Sequence, residues 1–420
     1  MRVLFVGLAL LLAACCSASQ ARAEVLAREG QGYLERLDHG GLVLHLKGTA
    51  YEMGFQHGRL LGDLARQSMQ RIVDAQGDLA KSDEYQAYLL MRPLMHDMLR
   101  PHIPARFIEE MRGLAEGAGV SYEVVEAGNL FPEAFHCSGI ALRGAATHDG
   151  SLYHVRILDY MTRLGLQDTA VVIVHQPAEE GLRSWINVGF AGFVGTVTGM
   201  NDAQVAIGEM GGGGLGHWDG LAMSLLMRDA LERAGTLEEA LEVFRSTKRT
   251  CEYYYVISDG KTRDAVGLWT TPEVLETIRP GETYSLFSGL RPRGGAADGK
   301  AFAGGLRVET SEHRVVFKGQ RGVEGFLALQ PADTLVLSGY DRYEHFMTRL
   351  EPRYGQVDEA VLMELVKRPV SMGSNLHVAI FHPETLRVWV AVAASDGAPA
   401  CDQPYLRYSL AEALAGPGSK

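Results

Sequence analysis

The amino-acid sequence predicts an α+β chain, with helices gathered ahead of a body that mixes strands and helices. Three observations predict it. Apolar residues recur at helical spacing through 51–125, short runs rich in Val, Ile, Tyr and Phe begin after Pro132, and helical stretches return between later strands. A chain of 420 residues that is 46% hydrophobic can fill the core such a body needs.

The first residues read as a targeting segment. Met1-Arg2 carries positive charge, 3–14 is an unbroken apolar run, and small residues follow. That is the order of a secretory signal peptide, and the run is short for a bilayer span. Two processing sites compete. Cleavage after Ala21-Arg22-Ala23 leaves a soluble exported protein, whereas Leu12-Ala13-Ala14-Cys15 has the form of a lipobox that would lipidate Cys15. An uncleaved anchor is the third reading. The expected location is the periplasm or the exterior, with membrane contact only through the signal or a lipid anchor. A formal charge of −11 argues against nucleic acid and anionic membrane as partners.

The helical region opens at 51–58, continues with Leu60, Leu61, Leu64, Met69 and Ile72, and should pack on the body as structure. A second helix is expected over 85–99, stopped by Pro101, and a third after Pro104 with Phe107, Met111 and Leu114 on one face. Strands are expected over 137–143, 151–159, 170–175 and 184–190, the first two joined at Asp149-Gly150. Helices follow at 221–232 and 237–244, the latter with a capping-box spacing from Thr236 to Glu239. Strands resume at 253–258 and 265–269, helices at 342–350 and 358–366, and a closing hairpin pairs 376–381 with 387–392.

Of five cysteines, Cys15 and Cys16 fall in the targeting segment, which leaves Cys137, Cys251 and Cys401. Three is odd, so at least one thiol is unpaired in an oxidising compartment; Cys251 and Cys401 either form the one allowed disulfide or are simply buried. Cys137 stands at the start of a strand, just after a loop. If the bond before it is cut, the new α-amine, with a pKa of about 8, can take the thiol proton, so one residue supplies nucleophile and base. The plain alternative is a buried, inert cysteine.

Residues Phe135-His136-Cys137-Ser138-Gly139-Ile140-Ala141-Leu142, then Thr147-His148-Asp149-Gly150-Ser151-Leu152 and Arg156-Ile157-Leu158-Asp159-Tyr160, resemble the isopenicillin N acyltransferase family of N-terminal-nucleophile (Ntn) hydrolases. Upstream, Gly48-Thr49-Ala50-Tyr51-Glu52-Met53-Gly54-Phe55-Gln56-His57-Gly58 resembles the family's propeptide signature. Downstream, Gly199-Met200-Asn201-Asp202 resembles its glycine-methionine-asparagine turn, and 236–241 one of its helices. The likeness spans about 45–395, with choloylglycine hydrolases and acid ceramidases as more distant relatives.

The resemblance implies a four-layer αββα sandwich and self-cleavage between His136 and Cys137, dividing the mature chain into a helical propeptide chain, 24–136, and a catalytic chain, 137–420. It implies that Cys137 attacks an amide of an N-acylated small molecule or short peptide through a thioester, which water or another amine resolves. Asp159 would orient or receive a proton from the α-amine, with Arg156 in the same shell, and the cleaved propeptide chain would stay as a partner. A strict two-residue hairpin at Asp149-Gly150 would instead set Asp159 opposite Ile140, on the wrong face for Cys137, so a bulge or a different loop is required. Relatives carry an oxyanion-binding asparagine where this chain reads Cys251-Glu252-Tyr253-Tyr254. The Tyr254 hydroxyl can take that role, or the tyrosines are an ordinary strand face.

Other motifs carry less. Gly294 to Lys300 nearly spells a phosphate-binding loop, but Ala301 replaces the required Ser/Thr and no strong strand precedes it. The glycines at 211–214, with His217 and Trp218, form a loop that could border a substrate pocket but lack the order of a dinucleotide site. Fourteen histidines are scattered without ligand spacing, so no metal and no cofactor are expected. The rival to an enzyme is a non-catalytic envelope binding protein that keeps the fold.

Overall fold

The computed structural model describes residues 24–37, 39–74, 80–130, 137–212, 216–282, 284–286, 307–310, 312–318 and 324–416. The targeting segment, His136 and the near-phosphate loop at 294–300 lie outside these. Helices are α1 (Ala50–Val73), α2 (Asp83–Leu99), α3 (Ala105–Ala118), α4 (Tyr122–Asn129), α5 (Met223–Arg233), α6 (Leu237–Ser246), α7 (Tyr340–Leu350), α8 (Glu359–Leu365) and α9 (Leu410–Ala415).

A ten-stranded sheet runs, edge to edge, β1 (Glu24–Glu29), β2 (Gly32–Arg36), β3 (Leu42–Gly48), β6 (Ala170–Pro177), β7 (Trp185–Phe190), β8 (Thr198–Asn201), β9 (Val205–Gly211), β10 (Tyr253–Asp259), β11 (Asp264–Thr270) and β12 (Leu275–Ile278). A six-stranded sheet runs β17 (Thr334–Leu337), β4 (Ser138–Gly144), β5 (Gly150–Asp159), β18 (Asn375–His382), β19 (Arg387–Val392) and β20 (Leu406–Ser409). A small third sheet holds β13 (Tyr284–Leu286), β14 (Arg307–Thr310), β15 (Arg314–Lys318) and β16 (Glu324–Ala328). Among the named strands, pairing is antiparallel except for β3 with β6.

The two large sheets lie face to face. Val43, Val172, Ile186 and Met200 of one pack with Ala379, Phe381, Val388 and Val390 of the other. Two buried polar bolts join them: His154 Nδ1 with Ser258 Oγ at 2.8 Å, and His377 Nε2 with Thr198 Oγ1 at 2.9 Å. Helices α1, α5 and α6 pack on the outer face of the ten-stranded sheet. On the far side, the Tyr153 hydroxyl donates to Glu359 of α8 at 3.1 Å. The α+β class and the αββα layering expected from the sequence are both present.

A wholly helical segment before Cys137 is not what forms. Residues 24–48 make three strands, and β3 joins β6 of the body directly. Alternation in Leu42–Gly48, with Leu44 and Leu46 buried on the helix side, is the strand signal. Helix α1 starts on a full capping box at Thr49 and Glu52, whereas at α6 the Glu239 carboxylate accepts from Gly235 N at 2.6 Å while Thr236 caps. Helices α1 and α3 touch backbone to backbone: a Cβ on Gly54, Gly58, Gly113 or Gly117 would collide with the partner helix's main chain.

The same segment is also held by charge. Arg228 of α5, fully buried, takes Glu110 of α3 in a fork (Nη1–Oε1 2.9 Å) and Glu232 Oε1 at 2.8 Å. Arg106 of α3 returns to Glu232 at 3.1 Å and to Asp229. Burial is the larger force on Glu110, raising its pKa against the opposing pull of Arg228. Among the described residues no helix is long and apolar enough to cross a membrane.

Candidate active site

Cys137 lies immediately before β4, and its residue is 4% exposed. The turn after β4 takes five residues, 145–149, with a register shift between Leu142 and Gly144. Ile140 therefore pairs with Val155 and Gly139 with Arg156, not Ile140 with Asp159. Alternation then puts Arg156 on the same face as Cys137 and Gly139, looking into the space between the sheets. Asp159 falls on the other face. The hairpin is irregular, yet its register differs from the strict two-residue one by an even number of residues, so Asp159 stays off the face of Cys137 and the expected shift of Asp159 onto that face does not occur.

Arg156 is fully buried. Its Nη2 lies 3.3 Å from Glu209 Oε2, its Nε donates to the Val197 carbonyl at 3.4 Å, and its Nη1 donates to the Ile157 carbonyl. Gly208 makes room for it: a Cβ there would come within 2.9 Å of Arg156 Cδ. Burial pushes the Cys137 thiol up to about 11; the Arg156 guanidinium opposes this, and the carboxylates of Glu209 and Asp159 add to it. A thiol so placed stays protonated near neutrality and needs a base beside it to become a nucleophile.

Asp159 reaches Cys137 through a third residue. Arg342, in the first turn of α7, pairs with Asp159 Oδ2 and donates from Nη2 to the Cys137 carbonyl at 2.9 Å. Asp159 Oδ1 accepts from Met372 N at 3.0 Å. Burial raises the Asp159 pKa, and Arg342 and the Met372 amide oppose the rise. The sequence reading missed both Arg342 and Glu209, though each had a signal. A cation in the first helical turn works against the helix dipole, and a glutamate at 209 interrupts an otherwise apolar strand.

Tyr254 stands on the inter-sheet face. Ser258 meets His154, whose strand partner is Ala141; Val256 faces Gly139; two residues further back, Tyr254 comes level with Cys137. Its hydroxyl donates to Glu252 Oε1 at 3.3 Å, and Trp269 Nε1 donates to the same oxygen at 2.6 Å.

Cys251 and Cys401 are buried free thiols, so the disulfide reading gives way to the buried one. His57 is structural as expected, its Nε2 accepting from Gly192 N at 2.8 Å and burial holding its pKa down to about 3. Among the described residues, Glu312, His313 and Glu351 could share an ion; they lie by the small third sheet and the end of α7, with both carboxylates exposed.

No family model matches the chain. It is 24% identical over 271 residues to protein dcd1B of Dictyostelium discoideum, covering 60% of this chain and 54% of that protein. It is 26% identical over 297 residues to an uncharacterized protein of Archaeoglobus fulgidus (64% and 49%), and 27% identical over 200 residues to acid ceramidase of Rattus norvegicus (42% and 50%). The chain thus spans about half the length of the curated relatives it matches. Among solved structures it is similar to a Caenorhabditis elegans N-acylethanolamine-hydrolyzing acid amidase ortholog at TM-score 0.41 and 15% identity, covering 65% of this chain and 99% of that one. Penicillin V acylase from Agrobacterium tumefaciens matches at TM-score 0.37 and 10% identity (61% and 83%). Acid ceramidases, expected as distant relatives, stand among these similarities.

Proposed function

We propose that this protein is an exported Ntn amide hydrolase that cuts itself between His136 and Cys137 and then uses Cys137 on an N-acyl substrate. One observation carries the reading: a buried thiol at a strand start shares its inward face with Arg156, while Arg342 grips both its carbonyl and Asp159. Similarity to acid ceramidases supports an N-acylated small molecule over a long peptide.

In self-processing, Cys137 Sγ attacks the His136 carbonyl carbon, the C–N bond breaks, and the Cys137 nitrogen leaves as an amine. Water then hydrolyses the thioester, freeing the thiol and the His136 carboxylate. In turnover the α-amine takes the thiol proton and returns it to the departing amine of the substrate; a second water releases the acid. Arg342 fixes the main chain at Cys137, Asp159 supports the ammonium form of the α-amine through that same shell, and Arg156 favours the thiolate against burial. Transfer to another amine is the finer alternative, and hydrolysis suits an exterior where acyl thioesters are not supplied.

The rival, a binding protein that kept the fold, draws on the Tyr254 hydroxyl being turned to Glu252. Intact mass and N-terminal sequencing of wild type and Cys137→Ala separate the two. Two chains, one beginning at Cys137, in the wild type and a whole chain in the variant are expected. A single wild-type chain under folding conditions would hand the lead to the binding protein.

A further inference from the structure

Strand β17 ends beside the nucleophile. Its pairing with β4 runs from Thr334 opposite Leu142 to Leu337 opposite Gly139. Continued by one residue, Ser338 meets Ser138, and their hydroxyls bond at 2.6 Å. Both are buried, Ser138 fully. One residue more brings Gly339 level with Cys137, and α7 begins at Tyr340. No side chain caps that helix, since its N-cap is Gly339. Four residues after Ser338 comes Arg342, the side chain that holds the Cys137 carbonyl and Asp159 together.

We propose that the Ser138–Ser338 hydroxyl pair is a positioning clasp for the nucleophile, setting where α7 starts relative to Cys137 and so where Arg342 reaches. The idea rests on the proposed role of Cys137. Two short covalent paths leave the clasp. One step along β4 is Cys137, and four steps along the other arm is Arg342. With no capping side chain at Gly339, the Ser338 hydroxyl adds a side-chain tie, beyond the β17–β4 pairing, between the helix start and the strand that bears the thiol. A slip there displaces Arg342 from the Cys137 carbonyl, and displacements near 1 Å in a reacting geometry cost rates far more than they cost stability. The inter-sheet bolt between His154 and Ser258 is a matched comparison, a buried hydroxyl bond of similar length whose strand position is four residues beyond Cys137.

The test compares Ser338→Ala, Ser338→Thr and Ser258→Ala with wild type, in the full chain. Self-cleavage half-times are followed by gel and mass, and folding by chemical denaturation. Ser338→Ala should slow cleavage by about tenfold to a hundredfold while still folding. Ser338→Thr, which keeps the hydroxyl, should recover most of the rate, and Ser258→Ala should lose comparable stability at near wild-type cleavage. The clasp is overturned if Ser338→Ala cleaves at the wild-type rate, if it no longer folds, or if Ser258→Ala slows cleavage equally, because each assigns the pair to stability alone. A wild type that never cleaves sinks the proposed function instead, so the two failures are told apart.

Discussion

At the level of single residues, the contest around Cys137 is between burial and charge. Burial alone would leave an inert thiol; Arg156 opposes it on the same face, and Arg342 holds the main chain from the other side. Arg342 is the sharper test, because it neutralises a buried carboxylate as well. Arg342→Gln strands Asp159 and should cost about 3–5 kcal/mol of folding stability, read by urea denaturation. Arg342→Lys keeps the charge but not the planar fork, so it should restore part of the stability and little of the self-cleavage rate. Equal cleavage by Arg342→Lys and wild type would show that one positive charge suffices. The residue types were legible: Cys137, Arg156 and Asp159 were picked from sequence, and the bulge was called for. The faces were legible too, since the strict hairpin and the observed register both set Asp159 off the face of Cys137; what was not legible is Arg342, which links the two from far along the chain.

At the level of elements, the packing of α1 on α3 is decided by glycine. Gly54 and Gly58 lie against Gly113 and Gly117 with main chain in contact, so any Cβ must push the helices apart. Gly54→Ala is expected to destabilise by about 1–3 kcal/mol through overpacking. Gly62, on the same helix, has open room for a Cβ, its nearest neighbour being Arg66 Nη1 at 3.4 Å. Gly62→Ala should therefore be neutral or stabilising by up to about 1 kcal/mol from helix propensity. Thermal or urea melts of the pair check the contrast, and equal effects would refute backbone contact as the cause. Helix existence was readable from periodicity, and the observed α5 to α8 match the expected spans within a few residues at each end. The strands at 24–48 were not foreseen, since a short strand ahead of a helical run is identified by the partner it pairs with, here β6, more than 120 residues away.

Across the described residues, burial favours the neutral form of several histidines, four of them strongly. Burial lowers His57 and His154 to about 3, and holds His175 and His377 well below their ordinary value. Each is depressed relative to the unfolded chain, so its stabilising contribution is present above about pH 6.5 and is lost as pH falls toward the folded value. Within that window each contributes a slope of about 1.4 kcal/mol per pH unit. Glu110 and Asp159, whose pKa values are raised, act the opposite way: their ionisation costs stability as pH rises through the folded values. Stability measured at pH 7 and pH 5 should fall on acidification, and His57→Gln should remove about one proton from the slope. A flat profile between those values would contradict buried neutral histidines.

The sequence by itself determined the class of the fold, the place where helices yield to strands, and the residue types that gather at Cys137. Those features are local: periodicity, turn residues and the chemistry of a thiol at a strand start are written over a few positions. Only the tertiary structure decided that 24–48 belongs to the large sheet, that Asp159 speaks to Cys137 through Arg342, and that Tyr254 turns to Glu252. The first two join residues distant in the chain, while Tyr254 and Glu252 are near neighbours whose side chains the packed sheets orient; burial makes each contact specific, because an unpaired carboxylate or hydroxyl between two packed sheets is too costly to leave alone.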